Sequence, residues 1–561
     1  MAVYGAVLSL LIWGINAVVQ IPDSPPRVHL GYEIHQGFLN KTGGFYNFSN
    51  IPYATPPLGD LRFKAPVPLP DVVDKTNAPI NDGSRFAICP QGIPAWTSIS
   101  TLWLTNGLGA INQSAGYTPP NITSLPPVAY GTSEDCLLLD ILVPQTIFEN
   151  RDRHYGAPVM VWMHGGGYTL GYKTLYGSGA GLVKASQSNG KDGVIYVALN
   201  YRLGLFGFLS GPTFSIENGT ANAGLLDQRQ ALEWIQQNIA KFGGDPNRVT
   251  LMGESAGGGS TFHQITAYGG LKGKVPFQQA IVQSGAFLPV PSNLEKENIF
   301  QSFLLSAGVE TLQQARNLST EALQLVNAQL VGQAPYGSFT FNPVVDGNFA
   351  PALPGQLLLQ GGYDKSLKVV IGHNINEGIF FTSPFLVNAS TFLQNIITVS
   401  FPNVGENSIG DYLTQTLYPP VFNGTYNYTD QVLRGALLVT EGLFACNANW
   451  LSRAFGQNSH SYLFSVAPSL HGDDIPYTFY QSPNAAVRNG TLAVMMQEYW
   501  TNFVETGDPN GPGLPNFPTY YTSPDDSGGG NILNLNISSI SVTGDYLANE
   551  RCDWWQKALY F

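Results

Sequence analysis

Short runs of β-branched and aliphatic residues alternate with segments of helical periodicity through the middle of the chain. The apolar runs are APVMVWM, GVIYVAL, RVTLM and FQQAIVQ, and the intervening LLDQRQALEWIQQNIAKF repeats its apolar residues at helical spacing. Glycine-rich or polar residues that favour turns bound these runs. Strands that alternate with helices predict an α/β architecture, in which a mostly parallel sheet is flanked by helices.

One helix of this region has an amphipathic pattern. Leu232, Ile235, Ile239 and Phe242 follow one another at spacings of three and four residues, so their side chains share one face. Aspartate and glutamine take the opposite face, which predicts one buried and one exposed surface. No internal repeat, low-complexity tract or Gly/Ser linker divides the chain, so we expect a single domain over residues 21–561.

The first twenty residues have the character of an export signal. An apolar run from Val3 to Val19 ends near the small Ala17 and is followed by IPDSPP. The run lacks the basic residues that commonly precede such a segment, so a buried N-terminal strand or an uncleaved anchor is the alternative. No later segment reaches the roughly 18 uninterrupted apolar residues of a membrane-spanning helix. We therefore predict a signal peptide over residues 1–20 and a secreted protein without stable membrane insertion.

The composition supports a globular extracellular protein. Apolar residues make up 43% of the chain and charged residues only 11%. The net charge is −12 and no lysine or arginine cluster occurs, which argues against a nucleic-acid partner. Eleven Asn-x-Ser/Thr sequons favour export and glycosylation. They begin at Asn40, Asn47, Asn112, Asn121, Asn218, Asn317, Asn388, Asn423, Asn427, Asn489 and Asn536.

The string GESAG at 253–257 has the GxSxG form of a nucleophile elbow. So short a string is common by chance, and its context gives it weight. RVTLM predicts a strand that runs into it, and AGGGSTFHQI predicts the start of a helix. A sharp turn there would hold the serine exposed, with glycine on both sides where no Cβ fits. The pattern predicts that Ser255 is a nucleophile, and an ordinary serine at a helix start is the alternative.

A serine nucleophile needs donors for the oxyanion that forms when a carbonyl is attacked. HGGG, from His164 to Gly167, follows a predicted strand and can present backbone N–H groups to a closely approaching substrate. A plain glycine-rich turn is the alternative for this motif.

The base has to be a histidine that follows the acid and the serine in the chain. His471 lies in a loop after the strand-like SYLFSV, where an imidazole can reach Ser255, and it is the preferred candidate. His263 belongs to the helix that leaves the elbow, His373 precedes any good acid, and His460 is expected to be a surface residue.

Two carboxylates compete for the role of the acid. Glu377 follows the β-branched run of LKVVIGHN by a few residues, which places it at the carboxyl edge of the sheet. Asp346 in NPVVDG is the rival, although an Asp-Gly pair in this setting commonly closes a turn.

These motifs together resemble the type-B carboxylesterase/lipase family, which includes cholinesterases and fungal lipases. The likeness extends over nearly the whole mature chain, and its further segments include GFYNFSNIPYATPPLGDLRFKAP, SEDCLLLDILVP, VWMHGGGY, NYRLGLFGFL and EYWTNFVETGDPN. It implies an α/β-hydrolase fold with long insertions and a serine enzyme that hydrolyses carboxylic esters.

The resemblance also implies roles for individual residues. Ser255, Glu377 and His471 form the implied catalytic triad, and Ser284 hydrogen-bonds the triad acid. The implied oxyanion donors are the backbone N–H groups of Gly166, Gly167 and Ala256. This chemistry requires no metal and no organic cofactor.

The four cysteines lie outside any CxxC motif, so they do not predict a metal site, and the sequence alone allows three pairings. The resemblance implies Cys89–Cys136 and Cys446–Cys552. The first bridge would enclose a long loop in which Ile99, Leu102 and Trp103 have the spacing of one apolar helical face. In fungal lipases of the family the equivalent loop is a lid, and an ordinary surface flap is the alternative.

The expected substrate is a small-molecule or lipid ester. A short-chain esterase, a true lipase and a sterol esterase all remain open, because the residues of the acyl pocket lie on variable loops. A rival of another class is a non-catalytic binding protein, since some relatives have lost the serine. The sequence does not predict the oligomeric state.

Overall fold

The computed structural model describes residues 25–70, 78–153, 156–286, 292–392, 395, 408–521 and 529–558. The predicted signal peptide at residues 1–20 lies outside these residues. Among the helices within these ranges, none combines the length and the apolar character needed to cross a membrane.

The strands form one large sheet and one small sheet. They are β1 (Arg27–His29), β2 (Ile34–Gln36), β3 (Phe38–Asn40), β4 (Phe45–Pro52), β5 (Ile80–Asn81), β6 (Leu138–Pro144), β7 (Ala157–Met163), β8 (Ile195–Leu199), β9 (Gly244–Glu254), β10 (Gln279–Gln283), β11 (Lys368–Asn374), β12 (Ser459–Phe464), β13 (Asn531–Leu535) and β14 (Ser541–Gly544). The small sheet has the order β1-β2-β5.

The large sheet has eleven strands in the order β14-β13-β12-β11-β10-β9-β7-β8-β6-β4-β3. The strands from β13 to β8 pair in parallel, whereas β14, β6, β4 and β3 pair antiparallel at the two edges. The predicted α/β-hydrolase architecture with a mostly parallel central sheet is therefore confirmed.

Helices cover both faces of this sheet. The α-helices are α1 (Trp96–Asn106), α2 (Gln145–Glu149), α3 (Ala180–Ser186), α4 (Gly204–Phe208), α5 (Pro212–Ile216), α6 (Ala223–Asn238), α7 (Ala256–Ile265), α8 (Asn293–Ala307), α9 (Leu312–Arg316), α10 (Thr320–Gly332), α11 (Pro354–Gln360), α12 (Ala389–Phe392), α13 (Ser408–Asp411), α14 (Gln431–Thr440), α15 (Cys446–Phe455), α16 (Ile475–Thr478), α17 (Gly490–Thr506) and α18 (Glu550–Lys557). Two π-helical segments span Tyr412–Leu417 and Glu441–Ala445. Short 3-10 turns span Gly59–Leu61, Leu108–Ala110, Gln113–Ala115, Arg151–Arg153, Ser188–Gly190, Ile239–Phe242, Ala267–Gly270, Glu377–Ile379 and Gly456–Asn458.

The core has two parts, one on each face of the large sheet. Every residue of β7, β8 and β10 is buried, because helices exclude water from both of their faces. Val159 and Val161 of β7 point into one part of the core, and Met160 and Trp162 point into the other.

Helix α6 departs from the expected pattern. The four predicted apolar positions are buried as expected, two of them in α6 and two in the 3-10 turn Ile239–Phe242 that follows it, but Asp227 and Gln228 of α6 are buried too. The Asp227 carboxylate accepts hydrogen bonds from Nε and Nη2 of Arg202 at 2.7 and 2.6 Å, and Gln228 Nε2 donates to Ser260 Oγ at 2.8 Å. The expected exposed surface is wrong at these positions because the neighbouring elements supply polar partners inside the protein.

The expectation that His460 is a surface residue is also wrong. His460 lies within β12 rather than before it, and it is buried. Its Nδ1 is 3.0 Å from the carbonyl oxygen of Pro518, which supplies a polar partner away from water.

Helix α1 lies in the Cys89–Cys136 loop, but its buried face differs from the predicted one. Trp96, Ser100 and Trp103 are buried, whereas Leu102 is 45% exposed. The apolar pattern missed Ser100, a polar residue that is buried because its hydroxyl has an internal acceptor. The structure contains the disulfides Cys89–Cys136 and Cys446–Cys552, in the pairing that the resemblance implies.

Candidate active site

Ser255 lies at the sharp turn between β9, which ends at Glu254, and α7, which begins at Ala256. Its backbone has φ 55° and ψ −121°, a conformation that side-chain-bearing residues rarely adopt. The flanking glycines allow this turn, because a Cβ on Gly257 would lie 2.1 Å from the carbonyl oxygen of Met163. The local sequence therefore folds as the predicted elbow.

His471 and Glu377 meet Ser255 in space. The Nε2 atom of His471 is 2.8 Å from Ser255 Oγ, and its Nδ1 atom is 2.5 Å from Glu377 Oε2. Glu377 is fully buried, and the side chain of His471 is only 11% exposed. The arrangement is a serine hydroxyl, an imidazole and a carboxylate in hydrogen-bond contact, and such an order of groups can move a proton from the serine to the imidazole.

The Glu377 carboxylate lies just after β11 and is held by donors on its second oxygen. Oε1 accepts a hydrogen bond from Ser284 Oγ at 2.6 Å and another from the Asn374 backbone N–H at 2.5 Å. Burial favours the neutral acid, but His471 and these donors outweigh it and lower the pKa of Glu377. The carboxylate therefore stays charged where it faces the imidazole. Ser284 occupies the position expected for a partner of the acid.

His471 lies in the loop that follows β12, and carboxylates surround it. Burial favours the neutral imidazole, but Glu377 and Glu254 outweigh burial and raise the pKa of His471 to about 9. Oε1 of Glu254 is 3.4 Å from the same Nε2 atom that contacts Ser255. The site thus favours the positively charged imidazole, the form that the base takes after it accepts a proton.

Sequence reasoning missed two buried acids beside the triad. Burial raises the pKa of Glu254 to about 8 and that of Asp474 to about 6. Asp474 Oδ2 accepts hydrogen bonds from Gln283 Nε2 at 2.9 Å and Tyr462 Oη at 2.8 Å. Glu254 lies within GESAG, directly before Ser255, and Asp474 lies in HGDD, three residues after His471. Their closeness along the chain to Ser255 and His471 is the signal that could have identified them.

Two of the three expected oxyanion donors lie beside Ser255. Gly167 and Ala256 line the cavity that also contains Ser255. Gly166 and Gly167 have φ values of 113° and 59°, so the turn after β7 requires a conformation that glycine adopts without strain.

The rival residues have other environments. The Asp346 Oδ1 atom accepts hydrogen bonds from the backbone N–H groups of Asn348 and Ala350 at 2.8 and 2.9 Å, so this aspartate closes a turn. His263 is buried in α7, and burial lowers its pKa to about 3. His373 is buried in β11, where Nδ1 lies 2.9 Å from the carbonyl oxygen of Asn374.

The cavity beside Ser255 is small and mostly apolar. Its volume is about 30 Å³. Aromatic side chains form much of its wall, and two of them also pack on the base. The ring of Phe444 is 4.6 Å from that of His471, and the ring of Phe381 is 5.0 Å from it. Within the described ranges, no group of three or more His, Cys, Asp or Glu side chains is arranged to hold a metal ion.

Comparisons with known proteins give a consistent result. A family model described as the carboxylesterase family matches residues 31–555. The chain is 36% identical over 574 residues to carboxylesterase patB of Penicillium expansum, an alignment that covers 98% of both proteins. It is 31% identical over 548 residues to secreted lipase 1 of Botryotinia fuckeliana, which covers 90% of this chain and 88% of the lipase. The crystal structure of Aspergillus niger EstA matches with a TM-score of 0.76 at 24% identity, over 95% of this chain and 98% of that one.

Proposed function

This chain belongs to the carboxylesterase family and is a carboxylic ester hydrolase, and from that premise we propose that it cleaves its substrates through a covalent acyl-enzyme on Ser255. The observation that carries the proposal is the contact of Ser255 Oγ with His471 Nε2 at 2.8 Å, continued from Nδ1 to Glu377 at 2.5 Å. This order of contacts gives each residue the partner that its role requires.

In the first half-reaction, Ser255 Oγ attacks the ester carbonyl carbon while His471 Nε2 takes the hydroxyl proton. The carbonyl oxygen becomes an oxyanion, which the N–H groups of Gly166, Gly167 and Ala256 stabilise. The bond to the alcohol oxygen then breaks, and His471 returns the proton to the leaving alcohol. The product of this step is an acyl-enzyme on Ser255.

In the second half-reaction, water attacks the acyl carbon and His471 takes the water proton. The bond to Ser255 Oγ breaks, the serine recovers its proton, and the carboxylic acid leaves. Glu377 stabilises the imidazolium in both halves, in agreement with its buried and charged state.

The test uses Ser255→Ala, with Ser260→Ala as a matched control. Ser260 lies on α7, the helix that follows Ser255, and its hydroxyl contacts Gln228 rather than His471. We expect Ser255→Ala to lower kcat for p-nitrophenyl butyrate by at least about four orders of magnitude, because the nucleophile is gone. The control should keep most of the activity, and a fluorophosphonate probe should label Ser255. A wild-type protein with no esterase activity would favour the non-catalytic binding protein instead.

We also propose that the protein is secreted and glycosylated. Three observations support this: the apolar N-terminal run, the two disulfides, and a relative named as a secreted lipase. The asparagines of all eleven sequons are exposed or half-buried in the structure. Treatment of the protein recovered from culture medium with an endoglycosidase should reduce its mass, and sequencing of its N-terminus should begin after residue 20 or close to it.

We propose further that residues 21–561 form one domain. The strands of the large sheet run from β3 near the start of the described chain to β14 near its end. Because one sheet joins the two ends of the chain, equilibrium unfolding should occur in a single transition. Two separate transitions in urea would contradict the single domain.

A further inference from the structure

Helix α1 is fastened to two of the chain segments that line the cavity beside Ser255, the segments around Phe339 and Phe381. Three buried side chains of the helix each donate a hydrogen bond across this contact. The bonds join Trp96 Nε1 to the Ser338 carbonyl at 2.7 Å, Ser100 Oγ to the Phe380 carbonyl at 2.5 Å, and Trp103 Nε1 to the Tyr336 hydroxyl at 3.2 Å. All three donors lie in the loop that a mobile lid would use.

The aromatic ring of Trp96 supports the cavity wall directly. It is fully buried, and its centroid lies 5.5 Å from that of Phe339 and 6.0 Å from that of Phe381. Both phenylalanines line the cavity. Phe381 also packs on the imidazole of His471, so helix, wall and base form one continuous contact.

This wall leaves little room next to the nucleophile. A cavity of about 30 Å³ has space for about two water molecules. The ring of Phe339 lies so close to Gly167 that a Cβ at that glycine would be 2.2 Å from it. In this arrangement the space beside Ser255 is too small for an acyl chain of many carbons.

Opening the wall would be costly. A displacement of α1 would break the three hydrogen bonds, remove the donors from the carbonyl groups of the half-buried Ser338 and Phe380, and expose Trp96 to water. It would also remove the support of Phe381 from His471. The contacts of the base with Ser255 and Glu377 are already made while α1 is in place, so the chemistry does not require the loop to open.

We propose that the Cys89–Cys136 loop is a fixed support of the cavity wall rather than a mobile lid, and that Trp96 and Ser100 are specificity-determining residues that restrict the enzyme to esters of short acyl chains. They act by holding Phe339 and Phe381 against the nucleophile. The inference rests on the proposed function, because it assigns a substrate class to the same site.

The experiment measures kcat/KM of the full-length protein for p-nitrophenyl acetate, butyrate, octanoate and palmitate, dissolved and as emulsions. We expect the value for butyrate to exceed that for octanoate by at least about tenfold, because even one added methylene can change pocket discrimination by that much. The rate should not jump when a substrate passes its solubility limit.

One variant tests a residue that holds the wall, and a second variant tests the wall itself. Ser100→Ala removes the hydrogen bond to Phe380 and should raise the octanoate-to-butyrate ratio by about three- to tenfold. Ser98→Ala is the matched control, since its hydroxyl is on the same helix but exposed and bonded within the turn, and it should leave the ratio unchanged. Phe339→Ala enlarges the cavity without removing any of the three hydrogen bonds of α1 and should raise the same ratio.

The outcomes separate this inference from the proposed function. If wild-type protein prefers octanoate or palmitate, or is activated at the emulsion interface, the loop is a lid and the inference is wrong. An equal ratio in Ser100→Ala, Phe339→Ala and wild type would likewise overturn it. Ester hydrolysis that disappears in Ser255→Ala would still support the proposed function in each of these cases. Absence of all ester hydrolysis would instead refute the proposed function.

Discussion

Glu254→Gln should shift the pH dependence of the enzyme toward lower pH. The substitution keeps the shape of the side chain but removes a buried carboxylate 3.4 Å from Nε2 of His471. Burial lowers the pKa of this histidine, whereas Glu377 and Glu254 raise it, with a net result of about 9. Only the neutral imidazole accepts the serine proton, so activity rises as the pH rises through this pKa. Loss of one carboxylate therefore lets the imidazole become neutral at lower pH.

The distance sets the size of the shift. Two unit charges 3.4 Å apart interact by about 5 kcal/mol at an effective dielectric constant of about 20. This is an upper limit, because burial raises the pKa of Glu254 itself to about 8, so that most of this side chain is protonated at neutral pH. Since one pKa unit corresponds to about 1.4 kcal/mol, we expect the acidic limb of kcat/KM to move down by about one to two pH units.

The assay follows p-nitrophenyl butyrate hydrolysis from about pH 5 to about pH 10, at the isosbestic wavelength of p-nitrophenol. Asp473→Asn is the matched control. It makes the same change of charge two residues from His471 in the chain. The hydrogen bond of the Asp473 carboxylate, however, comes from the Leu470 backbone N–H at 2.8 Å. The control should move the acidic limb less than Glu254→Gln does. An unchanged or raised midpoint in Glu254→Gln would refute the assignment of Glu254 as a residue that raises the pKa of the base.

Two further predictions concern the triad acid and the core. Glu377→Gln should lower kcat by about three to four orders of magnitude, because an amide cannot stabilise the imidazolium, whereas Asp346→Asn should cost less than about tenfold; the reverse order in steady-state kinetics would make Asp346 the acid. Asp227→Ala should lower the free energy of unfolding in urea by about 3–5 kcal/mol, because it leaves the Arg202 guanidinium buried without its carboxylate. A loss below about 1 kcal/mol would mean that water or another group replaces the carboxylate at little cost.

The strands, the helices and the elbow of the central region could be predicted from local sequence patterns. The alternation of apolar runs with helical periods predicted the strands and the helices between them, because the direction of side chains along a strand or a helix depends only on local backbone geometry. The strand, the glycines and the helix around Ser255 are contiguous, so their pattern predicted the turn that the structure contains. His471 is predicted from chain order and Glu377 from its place after a strand, and the family motifs support both. No local pattern indicates that the two residues are in contact.

Which distant residues come into contact depends on the tertiary structure. Ser255 and His471 are 216 residues apart in the chain, and local periodicity carries no information about their contact. The same holds for the burial of Asp227 beside Arg202, for the approach of Glu254 to the base, and for the face of α1 that Ser100 helps to fasten. A polar side chain can be buried wherever another element supplies its partner. The order of the strands and the packing of the loops choose that partner, and both are properties of the whole fold.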